Sequence, residues 1–439
     1  MRRLRRVGRT RRAIVALPLA LLFAAGPAAA QDDDGTPAGE AAAAVEQALS
    51  DKPVAPRSIG QADDDAAETV EQAAPQPAPF FRGGPIALAA QAWAPVADRL
   101  RNRTGLRLAF AYTALYQNAN RGTSPTEAAS GDVDIIGTWQ PRGEGPPRRL
   151  AFMVEGRHRI GEITPSQMGG QIGSLLPTVG GFNVQDPAVV QLYWEQLLRG
   201  NRLGYRVGKQ DVGFAFDSYR YRSTNFFFLN PALQGNQSVA YPANGFAAGF
   251  QYVPATPVYL LLGAANANSR RTQMSLDSLV DEWELFTAAE LGVEPDFGPW
   301  GQGRYHVTLW DSDPASQLGR PAGQGFALTA QHETRDGWVP FLRYGESDGR
   351  ASRVKRNLAI GLGAEFSFGR DSDVAALAFA WSEPHAGGGA DQYVVEFFYR
   401  WQLTPYVQLT PDLQLISGTG RPEEDEVTGL FSLRFRASF

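Results

Sequence analysis

From Leu106 onward, hydrophobic and polar residues alternate along the chain. Leu106, Leu108, Phe110 and Tyr112 share one face of an extended segment, because strand side chains alternate with period two. Leu150, Phe152, Val154 and Gly156 repeat the pattern, with Met153, Glu155, Arg157 and Arg159 opposite. It returns at 203–207, 246–252, 305–309, 326–330, 358–366, 375–381, 395–401, 407–415 and 427–439. Shorter versions stand at 133–139, 190–194, 258–264, 285–293 and 339–344, giving 16 predicted strands.

The connections between these segments alternate too. The gap 118–130 is long and 140–148 shorter; 161–188 is long and 198–202 short. The very long 210–245 is followed by a tight turn at 253–256, and 265–283 by a moderate 294–302. Later, 311–323 precedes a short 334–337, and the last short link is 402–405. A soluble sandwich has no reason to alternate in this way, whereas a membrane barrel has short periplasmic turns and longer outside loops. Lipid offers no hydrogen bonds, so a spanning sheet must close on itself. The expected fold is therefore all-β: a 16-stranded antiparallel transmembrane β-barrel with short periplasmic turns and long extracellular loops. An even strand number would put both termini in the periplasm. Trp381, Tyr399, Trp401 and Tyr406 fall near predicted strand ends, as an aromatic girdle would, or as ordinary core aromatics would. Phe431, Leu433, Phe435, Ala437 and Phe439 alternate to an aromatic last residue, so Phe439 is the expected assembly signal for the barrel-assembly machinery.

The chain upstream reads differently. Seven arginines between Arg2 and Arg12, an apolar run from Ala13 to Ala25 and Ala28-Ala29-Ala30 predict a secretory signal peptide over 1–30. The run is short of the ~20 apolar residues of a spanning helix. Removing those seven of 41 basic residues leaves 34 against 46 acidic ones, a charge of −12. That balance argues against a nucleic-acid partner. Residues 31–79 hold 11 acidic and two basic residues, and their apolar members are nearly all alanine. Such a segment cannot offset the entropy of ordering and is predicted to be a disordered periplasmic leader. Residues 80–439 form the expected barrel domain. Mean hydropathy is −0.27, too polar for a bundle of membrane helices.

Little in the chain points to catalysis. The absence of cysteine excludes disulfides and thiol chemistry. His158, His306, His332 and His385 lie far apart, without metal-ligand spacing, so neither metal nor cofactor is expected. The informative charges sit on the inward register: Glu155, Arg157, Glu195, Arg206, Arg343, Glu396, Arg400 and Arg434. An arginine facing lipid at mid-depth would cost roughly 2–4 kcal/mol. In a wet lumen, mixed guanidinium and carboxylate groups suit neutral polar solutes, since both can bond sugar hydroxyls. The longest loop, 210–245, carries Phe214, Phe216, Tyr219, Arg220, Tyr221, Arg222 and Phe226-Phe227-Phe228. So many aromatics would be a poor solvent-facing surface. Folded inward as a constriction loop, they would narrow the pore and place Tyr219 and Arg220 beside a solute. They could instead plug the lumen against the wall or meet a second subunit.

Several blocks resemble the carbohydrate-selective porin family of the OprB type. Leu192-Tyr193-Trp194-Glu195-Gln196 followed by Arg206-Val207-Gly208-Lys209-Gln210-Asp211 is one, with Phe226 to Asn230 and Tyr241-Pro242 after it. Glu396-Phe397-Phe398-Tyr399-Arg400, Leu403-Thr404-Pro405 and Leu409-Thr410-Pro411-Asp412-Leu413-Gln414 are another. Ser417-Gly418-Thr419-Gly420 stands where the family has an Asn-Pro-Gly stretch. The resemblance implies a 16-stranded outer-membrane barrel, not an enzyme, through which small sugars diffuse passively. The expected partners are small sugars, outer-membrane lipids and the assembly machinery, with the chain either a monomer or a homo-trimer. The competing expectation is a general diffusion porin, or a structural barrel without sugar selectivity.

Overall fold

Each stretch of alternating residues becomes a strand, and the sixteen strands close into one antiparallel barrel. They are β1 (Leu106–Ala119), β2 (Glu127–Trp139), β3 (Arg148–Arg159), β4 (Gln185–Leu198), β5 (Leu203–Gln210), β6 (Gly245–Ala255), β7 (Val258–Asn266) and β8 (Leu285–Val293). There follow β9 (Gln302–Ser312), β10 (Gly323–Glu333), β11 (Trp338–Ser347), β12 (Val354–Ala364), β13 (Val374–Pro384), β14 (Gln392–Thr404), β15 (Val407–Ser417) and β16 (Thr428–Ser438). This computed structural model describes residues 80–439 except Arg82, Glu144, 349–350, 366–371, 386–388 and 419–426. The signal peptide expected at 1–30 and the leader expected at 31–79 lie outside the described residues.

Every strand pairs with its neighbours in sequence, and β1 also pairs with β16, from Ala111 against Ser438 to Ala119 against Leu430. No strand edge is left open to lipid, which is the condition for a sheet to cross a bilayer. Phe439 extends the seam. Its N–H donates to Phe110 O at 3.0 Å, its carbonyl accepts from Phe110 N at 2.8 Å, and the two rings lie 5.9 Å apart. Deleting Phe439 removes one bonded pair from the closing seam, and the expected outcome is less folded barrel in the membrane. Heat-modifiable mobility on gels checks this; normal folded levels would contradict it.

The barrel is inverted relative to a water-soluble protein. Glu155, Glu195, Arg206, Glu290, Arg343, Glu396, Asp412, Arg434 and Arg436 are buried, while Leu291, Leu309, Leu342, Ile360, Leu377, Phe397, Leu413 and Phe431 are exposed. These exposed residues occupy the alternate, outward positions, as on β14, where Val395, Phe397 and Trp401 face out and Val394, Glu396 and Phe398 face in. A contiguous apolar belt of this kind needs lipid rather than water around it. Tyr399 departs from the expected girdle: it is buried, and its hydroxyl donates to Asp373 at 3.0 Å.

The three longest connections, 160–184, 211–244 and 267–284, all follow odd-numbered strands and share one end of the barrel. The tight links 199–202, 256–257, 334–337 and 405–406 share the other, called here the turn end. A helix the strand pattern does not anticipate, α1 (Pro85–Thr104), precedes β1 at the turn end. Pro85 stands in its first turn, where a proline costs no hydrogen bond. Gly105 ends it in the left-handed region at φ 79°, donating to Arg101 O. A Cβ at Gly105 would lie 2.1 Å from Gln140 O, so the sharp entry into β1 requires glycine.

Candidate pore constriction

The loop 211–244 leaves β5 and turns into the lumen. Asp211 accepts from Gly213 N at 2.9 Å and starts the turn. Asn230 accepts from Ala232 N at 3.0 Å and begins the short helix α3 (Pro231–Gln234). Between them Tyr219, Tyr221, Phe226, Phe227 and Phe228 form a buried cluster with Phe341, Ala359, Ala376, Ala378, Val394 and Phe398 of the wall. Phe228 meets Phe398 at 5.0 Å and Phe341 at 6.0 Å, edge to face. The wall makes room with small residues. A Cβ on Gly363 of β12 would lie 1.8 Å from the Tyr221 hydroxyl, and one on Gly345 of β11 2.3 Å from Asn236. Gly363→Val should therefore unseat Tyr221, an overpacking cost of about 1–3 kcal/mol. The expected result is a higher and noisier single-channel current from a barrel that still folds fully; an unchanged current would contradict the seating.

Charges on the wall hold the same loop. Arg343 of β11 forms a buried ion pair with Asp217, and Thr329 donates to Asp217 at 2.6 Å. Glu290 of β8 accepts from Asp217 N at 2.6 Å and from Thr308 at 2.7 Å. Burial pushes the Asp217 carboxyl up, but Arg343, His306 and Thr329 outweigh it and hold its pKa below the usual carboxylate range. Farther round the wall, Glu396 accepts from Asn230 N at 3.0 Å and also from Leu229 N. Arg434 donates to Phe227 O at 2.8 Å and to Thr224 O. Arg400 lies 5.2 Å from the Phe227 ring. Arg220 pairs with Glu365, just past the end of β12, at 2.6 Å, so the loop reaches the turn end of the lumen.

Two further loops turn inward, which the strand pattern does not reveal. In 160–184, a helix α2 (Pro165–Ile172) starts on a Thr164–Gln167 capping box. Beyond it Leu176 N donates to Gln392 at 3.2 Å, and Thr178 O accepts from Gln414 at 3.0 Å, both on the far wall. The loop 267–284, which contains α4 (Leu276–Glu282), sends Arg271 across the mouth to Glu155 of β3 at 2.7 Å and to Asn244 at 2.8 Å.

Together these loops leave a polar cavity of about 320 Å³ against β2, β3 and β4. That volume falls within the roughly 300–1,000 Å³ of small-molecule pockets. Asp132, Asp134, Glu155, Arg157 and Gln191 line its wall side; Asp211, Arg222, Asn225, Gln234, Gln237 and Arg271 line its loop side. Asp132, Asp134 and Glu155 bring carboxylate oxygens within 4.8 Å of one another. Arg157 answers Asp132 at 3.2 Å and Glu155 at 3.0 Å, while Arg436 lies 3.9 Å from Asp134. With Arg271, three guanidinium groups face three carboxylates, so the cluster is balanced without a cation. Glu155 is fixed by Gln185 as well, at 3.0 Å.

The sequence-predicted residues thus divide into three groups. Glu155 and Arg157 border the cavity. Tyr219, Arg220, Arg343, Glu396, Arg400 and Arg434 meet between loop and wall and hold the constriction in place. Glu195 and Arg206 form a third cluster lower on the wall: they pair at 2.6 Å, Arg149 adds a contact at 3.2 Å, and the Arg206 guanidinium lies 4.3 Å from the Tyr193 ring. Arg206 points inward and is fully buried but does not border the cavity. Asp132, Asp134 and Arg271 are the residues the sequence reading misses. The two aspartates sat on inward positions of a strand recognised only by its weaker segment, and nothing local places Arg271 opposite Glu155.

Residues 281–439, which hold β8 to β16, match the family described as carbohydrate-selective porin, OprB family. Porin AaxA of Chlamydia pneumoniae is 23% identical over 279 residues, 61% of this chain and 63% of that protein. The chain therefore spans less than two thirds of that relative's length. Among solved structures, Pseudomonas putida OprB at high pH superposes with a TM-score of 0.65 at 15% identity, covering 79% of this chain and 97% of that one. A mutant of Rh. blastica porin does so with a TM-score of 0.50 at 12% identity, covering 76% and 100%. These likenesses are of fold. Together with the closed, inverted barrel they place the chain among outer-membrane β-barrels in fold, and its residues 281–439 are similar to the carbohydrate-selective porin, OprB family.

Proposed function

We propose that the barrel is a passive outer-membrane pore for small carbohydrates, with the cavity beside β2, β3 and β4 as its narrowest selective stretch. The observation that carries this reading is the pairing of a balanced charge cluster with neutral amides around one small opening. Glu155, Arg157 and Arg271 offer charge-assisted hydrogen bonds, and Gln191, Asn225 and Gln237 offer both donors and acceptors. A polyhydroxyl ring needs both kinds of partner, whereas an ion meets the wrong sign from half of them. The apolar plug on the opposite side of the lumen supports the same reading, because it fills that part of the cross-section with packed aromatic and aliphatic side chains.

The turn end is assigned to the periplasm and the three inward loops to the outside, with the signal peptide removed near residue 30. The even strand number and the position of α1 at the turn end support that orientation. The barrel closes within a single chain, which supports a pore that works as a monomer or as one of three equivalent channels in a homo-trimer. Planar-bilayer currents with increasing hexose test the assignment. Current should fall with sugar and saturate. A current indifferent to sugar at any concentration would reject sugar selectivity and favour a general diffusion pore.

A further inference from the structure

We propose that α1 and the residues just before it form an interfacial anchor, lying in the headgroup layer at the turn end of the barrel and holding anionic lipid phosphates through Arg99 and Arg103. The proposal rests on the barrel's crossing a membrane and on the faces of one helix.

One strip of α1 faces the protein. Ala87 and Ala90 are buried, and the Trp93 ring lies 5.2 Å from Phe110. Phe110 is an outward position on β1, between the inward, buried Ala109 and Ala111. The helix therefore lies on the lipid side of the wall and not in the lumen. Its last carbonyl, Thr104 O, accepts from the Trp139 indole at 3.0 Å. Trp139, Trp338 and Trp401 are all exposed and all stand at the turn ends of their strands. Such tryptophans mark the level of lipid headgroups.

A second strip, Gln91, Asp98 and Asn102, is polar and faces water. The third runs Leu88, Ala92, Val96, Arg99, Arg103, positions spaced by three or four that share one face of a helix. Leu88 is 68% exposed and Val96 43%. Phe80 and Phe81 add to this apolar surface, at 63% and 58% exposure, and their backbone is tied to Gln402 O and Leu403 O beside the 405–406 turn. In water these side chains are poorly placed; beside a belt already in lipid they continue it. No helix among the described residues is long and apolar enough to cross a membrane. A short helix with an apolar strip leading into arginines, docked at the girdle, is built to lie in the interface. Two arginines at the apolar strip's end, with the helix's acidic residue Asp98 turned away and paired to Arg101 at 3.0 Å, select a negative partner at that depth.

The chain has no cysteine, so single labels report cleanly. Full-length protein carrying Leu88→Cys or Gln91→Cys would be labelled with an environment-sensitive fluorophore and reconstituted in phosphatidylcholine vesicles, with and without phosphatidylglycerol. The Leu88 label should emit to the blue and lose most of its intensity to lipids brominated on the acyl chain. The Gln91 label should instead be quenched by aqueous iodide. Phosphatidylglycerol should enlarge the Leu88 shift, and replacing Arg99 and Arg103 with glutamine should abolish that enlargement. Val96→Cys repeats the test on the same strip should Leu88→Cys fold poorly. Normal channel conductance in each sample separates this question from the pore assignment. Labels that behave alike at both positions, or a Leu88 signal indifferent to phosphatidylglycerol, would overturn the proposal.

Discussion

Replacing Asp217 with alanine should raise single-channel conductance and admit solutes too large for the wild-type pore. Asp217 lies fully buried between loop and wall and answers Arg343, with His306 Nε2 3.6 Å away. Removing one member of a buried pair leaves the other charge unanswered, at a cost of about 3–5 kcal/mol. Since about 1.4 kcal/mol is a tenfold change in an equilibrium, a displaced loop should gain a hundredfold or more in population. The aromatic contacts of Phe227 and Phe228 do not depend on Asp217, so displacement should begin around 217–220 and the barrel should still fold. The double replacement of Asp217 and Arg343 by alanine should be less disturbed than Asp217→Ala alone, because no buried charge is left behind. The sign of the pH effect follows from Asp217's lowered pKa. Its stabilising contribution is present above the unfolded carboxyl value, about 3.9, and is lost only as pH falls through a native value lower still. Wild-type conductance should therefore show no loosening from this pair between neutral pH and about pH 4. Equal conductance of wild type and Asp217→Ala would show that the pair does not seat the loop.

The second large effect concerns ions. With Asp132 and Asp134 both changed to asparagine, the cavity keeps Arg157, Arg222 and Arg271 against Glu155 and Asp211. Arg436, 3.9 Å from Asp134, also loses its counter-charge. Confinement between low-dielectric walls magnifies such an imbalance. A change of about 1 kcal/mol in local potential corresponds to roughly a fivefold change in the local concentration of each ion, up for anions and down for cations. Reversal potentials in a salt gradient should move toward anion preference, whereas Arg271→Gln should move them toward cations. Shifts of the same sign in both variants would place the ion path elsewhere.

How much of this could be read from the sequence follows from which interactions are local. Strand alternation is local, so all sixteen strands were legible, though segments such as 190–194 and 305–309 understate β4 and β9. The inward loop was legible from Phe226-Phe227-Phe228, but its seat was legible only in retrospect. Inward alanines at Ala359, Ala376, Ala378 and Ala380, with Gly363, leave space that something must fill. Alternation also told which charges point inward, but not what they meet. Glu396 receives N–H groups from Leu229 and Asn230, more than 160 residues away, and only the folded loop joins them. α1 lies outside the period-two pattern, although Ile86, Ala90, Trp93, Ala97 and Leu100 carry a helical spacing between Pro85 and Gly105.

Small neutral sugars should pass beside the Glu155–Arg157–Arg271 cluster in preference to charged solutes of equal size. Liposome swelling with the full-length protein tests this directly. Swelling should be rapid in hexoses, slower in disaccharides, and slower in sugar acids and amino sugars than in the neutral hexose they match in size. Swelling rates that follow size alone, with charged and neutral solutes on one line, would contradict it.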